Sequence, residues 1–106
     1  MPHYMYRGSY TQAGVKGVLE AGAASRTQVV KQLTESAGGR VEALYWTFGE
    51  DDFVVICELP DNAAAAACAM AVGTAGGSSI STTVLLTEAE VDEARGRDTS
   101  FRAPGR

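Results

Sequence analysis

Five consecutive apolar residues, Phe53-Val54-Val55-Ile56-Cys57, set the tightest limit on how this chain can fold. Aromatic and β-branched residues at that density make a strand. A strand with one wet face alternates apolar and polar residues. This one does not alternate, so it is expected to be buried on both faces. The chain has 106 residues, enough for one domain and one core but not for a second domain with its own substrate site. Its own helices can cover only one face of a sheet. The other face therefore calls for a second copy, and a homodimer is expected.

Composition supports that expectation. Twelve Gly and seventeen Ala leave more than a quarter of the chain with almost nothing to bury. A buried Leu, Ile or Phe contributes roughly 1.5–3 kcal/mol, and Ala far less. A monomer with so light a core is marginal, and oligomerisation is the usual remedy. The net charge of −4, with seven Arg and two Lys scattered singly, argues against nucleic acid as a partner. No run approaches the ~20 apolar residues of a membrane span, and Met1 to Tyr10 does not read as a secretory signal. A cytoplasmic protein is expected, and the Ala and Arg usage suits a GC-rich bacterial genome. Cys57 and Cys68 are too far apart for Cys-x-x-Cys and have one His to join them, so they read as buried free thiols and not as a metal site.

Along the chain, His3 to Tyr10 reads as a strand with Tyr4, Tyr6, Gly8 and Tyr10 on one face and His3, Met5, Arg7 and Ser9 on the other. Thr11 caps a short helical segment carrying Val15, Val18 and Leu19, weakened by Gly14, Gly17 and Gly22. Ser25-Arg-Thr-Gln28 has the spacing of a capping box for a second helix, which Gly38-Gly39 stops. Val41 to Phe48 reads as a strand with Val41, Ala43 and Tyr45 alternating against Glu42, Leu44 and Trp46. Gly49 to Asp52 is turn chemistry before the strand Phe53 to Leu59. Asp61 caps a helix over Asn62 to Val72, which holds the run Ala63 to Ala67. Ser79 to Leu86 is a fourth strand, and Thr87-Glu-Ala-Glu90 opens a short helix to about Arg95. The order βαββαβ with a terminal helix is the ferredoxin-like arrangement of an α+β protein. It predicts a four-stranded antiparallel sheet with strands one and three central and the two principal helices on one face. Residues 1–95 form the domain, and 96–106 a flexible tail.

The chain resembles the GYD domain family. The likeness rests on Met1-Pro2-x-Tyr4, Tyr10-Thr11-x-x-Gly14, Gly38-Gly39, the alanine-rich helix and Thr87, and above all on Tyr45-Trp46-Thr47-x-Gly49-Glu50-x-Asp52-Phe53-Val54-Val55. It covers Met1 to about Glu93. One position departs from the pattern: the family's signature has Tyr before its Asp, where this chain has Asp51 before Asp52. A role specific to that phenol does not carry over. The resemblance implies a ferredoxin-like fold and a dimeric α/β barrel, and no particular reaction. By fold analogy, related barrels hold small organic ligands between sheet and helices, some as monooxygenases, cyclases or isomerases, some with haem, and others as ligand-binding regulators.

Within that frame a few residues are candidates for chemistry. His3, the only histidine, could act as a general base or a haem ligand; at a strand end it is as readily satisfied by a neighbour. Asp52 could hold a proton or orient His3, and it could equally accept backbone N–H groups in the turn. Tyr4, Tyr6, Tyr10, Tyr45, Trp46, Phe48 and Phe53 could line an aromatic pocket or simply form the core and dimer interface, and Arg7 could clamp a carboxylate or make an interface ion pair. Pro2 could serve as an amine base only if Met1 were removed. No cofactor or metal is expected. The reading is a small-molecule-binding homodimer. Its alternatives are a cofactor-independent cyclase, isomerase or monooxygenase using His3 and Asp52, and a protein whose role is its assembly.

Overall fold

A computed structural model describes every residue from Met1 to Arg106. Its elements are β1 (His3–Tyr10), α1 (Gln12–Ala21), α2 (Ala23–Ser36), β2 (Arg40–Trp46), β3 (Phe53–Glu58), α3 (Asn62–Ala75), β4 (Ser78–Leu85) and α4 (Glu88–Arg95). The sheet order is β2-β3-β1-β4, and every neighbouring pair is antiparallel. The α+β, ferredoxin-like arrangement holds, with β1 and β3 central. No helix is long and apolar enough to cross a membrane.

Three helix starts follow the side-chain logic of the sequence. Thr11 accepts from the Gly14 N–H at 3.2 Å, and Asp61 accepts from the Ala64 N–H at 2.8 Å. Thr87 and Glu90 form a reciprocal capping box. The fourth start differs from expectation. Helix α2 begins at Ala23, and Ser25 lies inside its first turn instead of capping it. The reason is Gly22, whose φ of 87° and ψ of 160° break the chain three residues before Ser25 in a conformation open to glycine alone. Helix α3 likewise runs through Gly73 to Ala75 and ends where Gly76 turns left-handed.

The second correction concerns β2. Its register against β3 slips between Val41 and Ala43. This bulge inserts Glu42 as an extra residue and reverses the alternation beyond it. Val41, Leu44 and Trp46 therefore share the helix-covered face with Cys57, Val55 and Phe53, while Ala43 and Tyr45 pair with Ile56 and Val54 on the open face. The simple alternation of Val41, Ala43 and Tyr45 is thereby overturned.

Two phenols fasten α3 to the sheet. Tyr4 donates to Asn62 Oδ1 at 2.7 Å, and Tyr6 donates to the Ala65 carbonyl at 2.6 Å. The buried core is small: Tyr4, Tyr6, Val55, Cys57, Leu59, Ala65 and Cys68, with Thr34 beside it. Helix α2 packs on β2 and α3 on β4, the two edge strands, while α1 leans on α2 and β1. The opposite face of the sheet carries no helix. There Met5, Val54 and Ile56 are half-buried by their neighbours alone. Every residue of α4 is exposed, so this helix and the tail extend away from the body.

Replacing Gly22 by Ala should cost about 1–3 kcal/mol, since nothing crowds the position and only its backbone angles exclude a side chain. Urea denaturation measures the loss; an unchanged midpoint contradicts the assigned break between α1 and α2.

Candidate functional site: an apolar cleft between the helices and the sheet

With α2 and α3 seated over opposite edges, the middle of the sheet is thinly roofed. An enclosed space of about 70 Å³ lies between them, lined on the sheet side by Tyr6, Leu44, Trp46, Phe53, Val55 and Ile80. Val30 and Leu33 of α2 and Cys68 and Val72 of α3 form its sides. It opens into a cleft of about 780 Å³ bounded by α1, α2 and α3, whose walls include Gly14, Gly17, Ala21, Ala71 and Ala75. The volume exists because small residues stand where larger ones would close it. On the floor, Gly8 admits the side chains of Ile80 and Phe53 to within 2.7 and 2.9 Å of where its Cβ would stand. Any other residue there would push both into the cavity.

Tyr10 and Trp46 meet at the edge of this space. The Trp46 indole N–H donates to the Tyr10 hydroxyl at 3.1 Å, and the Tyr10 and Phe53 rings lie 5.0 Å apart, tilted by 42°. Asp52 fixes Tyr10 from below, its Oδ2 accepting the Tyr10 backbone N–H at 2.9 Å. The Asp52 N–H in turn donates to the Gly8 carbonyl at 2.7 Å. In this place Asp52 acts as the turn residue that joins the β2–β3 loop to β1.

The residues expected to form a site fall into two groups. Tyr6 and Trp46 line the cavity. Tyr4 shares the covered face but is sealed below α3, with its hydroxyl spent on Asn62. His3, Arg7 and Tyr45 lie on the other face of the sheet. His3 pairs across the sheet with Glu58, and Gly8, which holds Asp52, pairs with Phe53. Five residues of strand, about 17 Å, therefore separate the two ends. The structure does not bring His3 and Asp52 together.

His3 instead sits between two carboxylates. Its Nδ1 bonds Glu42, and its Nε2 lies 3.7 Å from Glu58. Arg40 completes the group through Glu58 at 2.5 Å. Sheet register creates this arrangement: His3 pairs with Glu58, and Glu42, on the opposite face from Val41, reaches His3 across β3. The ligand atoms of His3, Glu42 and Glu58 lie within 4.8 Å of one another, which makes these the residues that could hold a metal ion. A cation there would share Glu58 with Arg40. On the same face Arg7 approaches Asp51 at 4.0 Å, so the residue that replaces the signature tyrosine faces away from the cavity.

Of the other aromatics expected in a pocket, Tyr10 and Phe53 line the cavity, while Phe48 is exposed outside it. Sequence reading passed over Arg26, Val30 and Leu33 as site residues. The spacing of Val30 and Leu33 marks an apolar helix face, but nothing in it says that the face stops short of α3.

Burial dominates the electrostatics of the covered side. It raises the Tyr4 and Tyr6 phenols above their ordinary range, with Asp61 adding to the effect on Tyr4 and Cys68 to that on Tyr6. Burial first, then the neighbouring Cys68, pushes the Cys57 thiol up to about 11. Cys68 is raised by burial as well, and both thiols are free. They are poor nucleophiles in this state.

Two predictions follow from these placements. Asp52→Ala removes the acceptor of the Tyr10 N–H and should cost about 1–3 kcal/mol in urea denaturation while exposing Trp46 to water in its fluorescence. Unchanged stability would contradict the positional role. For Cys57, the unfolded thiol ionises near its ordinary 9.0 and the folded one near 11. Between those values the unfolded chain binds fewer protons, so stability should fall as pH rises from about 9 to 11. A Cys57→Ser variant should show a shallower fall; an identical slope contradicts the assignment.

No curated protein and no solved structure matches the chain. The family described as GYD domain matches residues 4–94, spanning the sheet, the cleft and most of α4. Over that length of the 106 residues the match settles kinship: the chain belongs to the GYD domain family.

Proposed function

We propose that this GYD domain protein binds a small organic molecule in the cleft between α2, α3 and the sheet, and that it works as a homodimer. The observation that carries the first part is the cleft itself. Its size falls within the usual range of ligand pockets, roughly 300–1,000 Å³, and most residues around the inner space are apolar. The aromatic groups Tyr6, Tyr10, Trp46 and Phe53 suit the flat or apolar body of such a molecule. The proposal assigns it no reaction. The two free, buried thiols suit a reducing compartment such as the cytoplasm.

Surface area supports the second part. The chain exposes 7420 Å², where a folded monomer of 11.1 kDa is expected to expose about 5,700 Å². Its radius of gyration is 16.9 Å, against about 13 Å for a compact domain of this length. All of α4 and nearly all of the tail are exposed, and no helix covers the open face of the sheet. A second copy on the open face would bury about 800 Å² per chain in an interface of standard size. Met5, Val54 and Ile56 would form its apolar centre, and the ion-paired group around His3 part of its rim.

Both parts are testable. The neutral dye N-phenyl-1-naphthylamine should brighten on entering the cleft, and Val30→Trp, which fills it, should abolish the effect. No brightening in the unaltered protein contradicts ligand binding. Sedimentation equilibrium at micromolar concentration should give twice 11.1 kDa. Ile56→Lys should give a folded monomer, because in a single chain the lysine can extend into water from the open face. A monomeric mass for the unaltered protein contradicts the dimer.

A further inference from the structure

Resting on the cleft as a ligand site, we infer that its ligand is an apolar carboxylic acid whose carboxylate is held by Arg26 and Tyr10. Arg26, on α2, lines both the inner cavity and the outer cleft, and so does Tyr10, at the end of β1. These two side chains therefore stand where the two spaces join.

Arg26 has no carboxylate within 4.0 Å, although it is half-buried; each of the six ion pairs of the chain belongs to other residues. A half-buried guanidinium beside apolar walls is costly without an anionic partner. The Tyr10 hydroxyl accepts the Trp46 N–H at 3.1 Å and donates to no protein group, so its proton is free for a ligand oxygen. A guanidinium and a phenol hydroxyl are both donors that a carboxylate accepts from, the guanidinium with its charge as well. Ser78, also common to both spaces, can add a third donor. Two acidic residues lie near this junction: Glu20 lines only the outer cleft and is exposed to water, and Asp52 lies beside Tyr10 with its Oδ2 bonded to the Tyr10 backbone N–H at 2.9 Å. Arg26 is the one charged side chain that lines the inner cavity.

The remaining lining decides the rest of the ligand. Leu33, Leu44, Phe53, Val55 and Ile80 offer no hydrogen-bonding side chain to the inner cavity. With the carboxylate at the neck, the chain or ring runs along the outer cleft, and the inner space of about 70 Å³ takes at most a short apolar branch. A second charge on the ligand would have no partner inside. The chemistry is therefore that of a monocarboxylate with an alkyl or aryl body.

Three probes with one chain and different heads separate the possibilities: octanoate, 1-octanol and octylammonium. Trp46 is the only tryptophan and lines the cavity, so its fluorescence reports occupancy. At pH 7 octanoate should bind at least tenfold more tightly than octanol, and octylammonium should be the weakest. Arg26→Gln should erase the preference for octanoate while leaving octanol affinity within twofold. Tyr10→Phe should reduce octanoate affinity about threefold and preserve the rank order. Equal binding of octanoate and octanol to the unaltered protein overturns the carboxylate assignment and leaves the cleft as a site for neutral molecules. A preference that survives Arg26→Gln also overturns it. If none of the three changes Trp46 emission or shifts methyl resonances of Val30 and Leu33, the cleft binds no such molecule, and the inference falls together with the proposal beneath it.

Discussion

Alanine cannot fill the space between a helix and a sheet as leucine does, and that shortage of side-chain volume governs the whole molecule. Helix α3 carries the run Ala63 to Ala67 and is brought close to β1 by two tyrosine hydroxyls. Helix α2 brings Val30 and Leu33, but over the opposite edge of the sheet. Between them the middle strands are left with an apolar floor and an incomplete roof. A protein interior is normally packed as densely as an organic crystal. The open volume above Tyr6, Phe53 and Ile80 departs from that density, and this is the ground for proposing a ligand there.

The other face of the sheet has the complementary shortage. β3 is apolar on both sides, and Val54 and Ile56 point where no helix of this chain reaches. The two faces thus ask for different partners. The helix side offers a confined cleft with unsatisfied donors at its neck. The bare side offers a half-buried apolar surface of Met5, Val54 and Ile56, edged by ion pairs, which is where the proposed second copy would pack.

Much of the architecture was legible from local chemistry. Thr11, Asp61 and Thr87 mark helix starts because each has a hydroxyl or carboxylate positioned to take an orphan N–H. The strands declare themselves by Tyr, Val and Ile. The site was legible only in part. Tyr6 and Trp46 could be named from aromatic density, but Trp46 reaches the cavity because a bulge at Glu42 turns β2 over, and a bulge leaves no mark in residue type. Strand register, which residue type does not give, brings Glu42 and Glu58 to His3 and commits it to carboxylates away from the cleft. Arg26 was invisible for another reason: its interest lies in lacking a partner, and that is a property of the packed chain. Ser25 misled because its spacing suits a cap, while Gly22 had already turned the backbone.

The central claim is that the two faces have different occupants: a second copy on the bare face, a small molecule on the helix side. Isotope-filtered NMR on a mixture of labelled and unlabelled chains reads this directly. Intermolecular NOEs should appear at the methyl groups of Met5 and Ile56 and be absent at those of Val30 and Val72. Cross-chain NOEs at Val30 and Val72, with none at Met5 and Ile56, would mean that a second copy fills the cleft, and the account would be wrong.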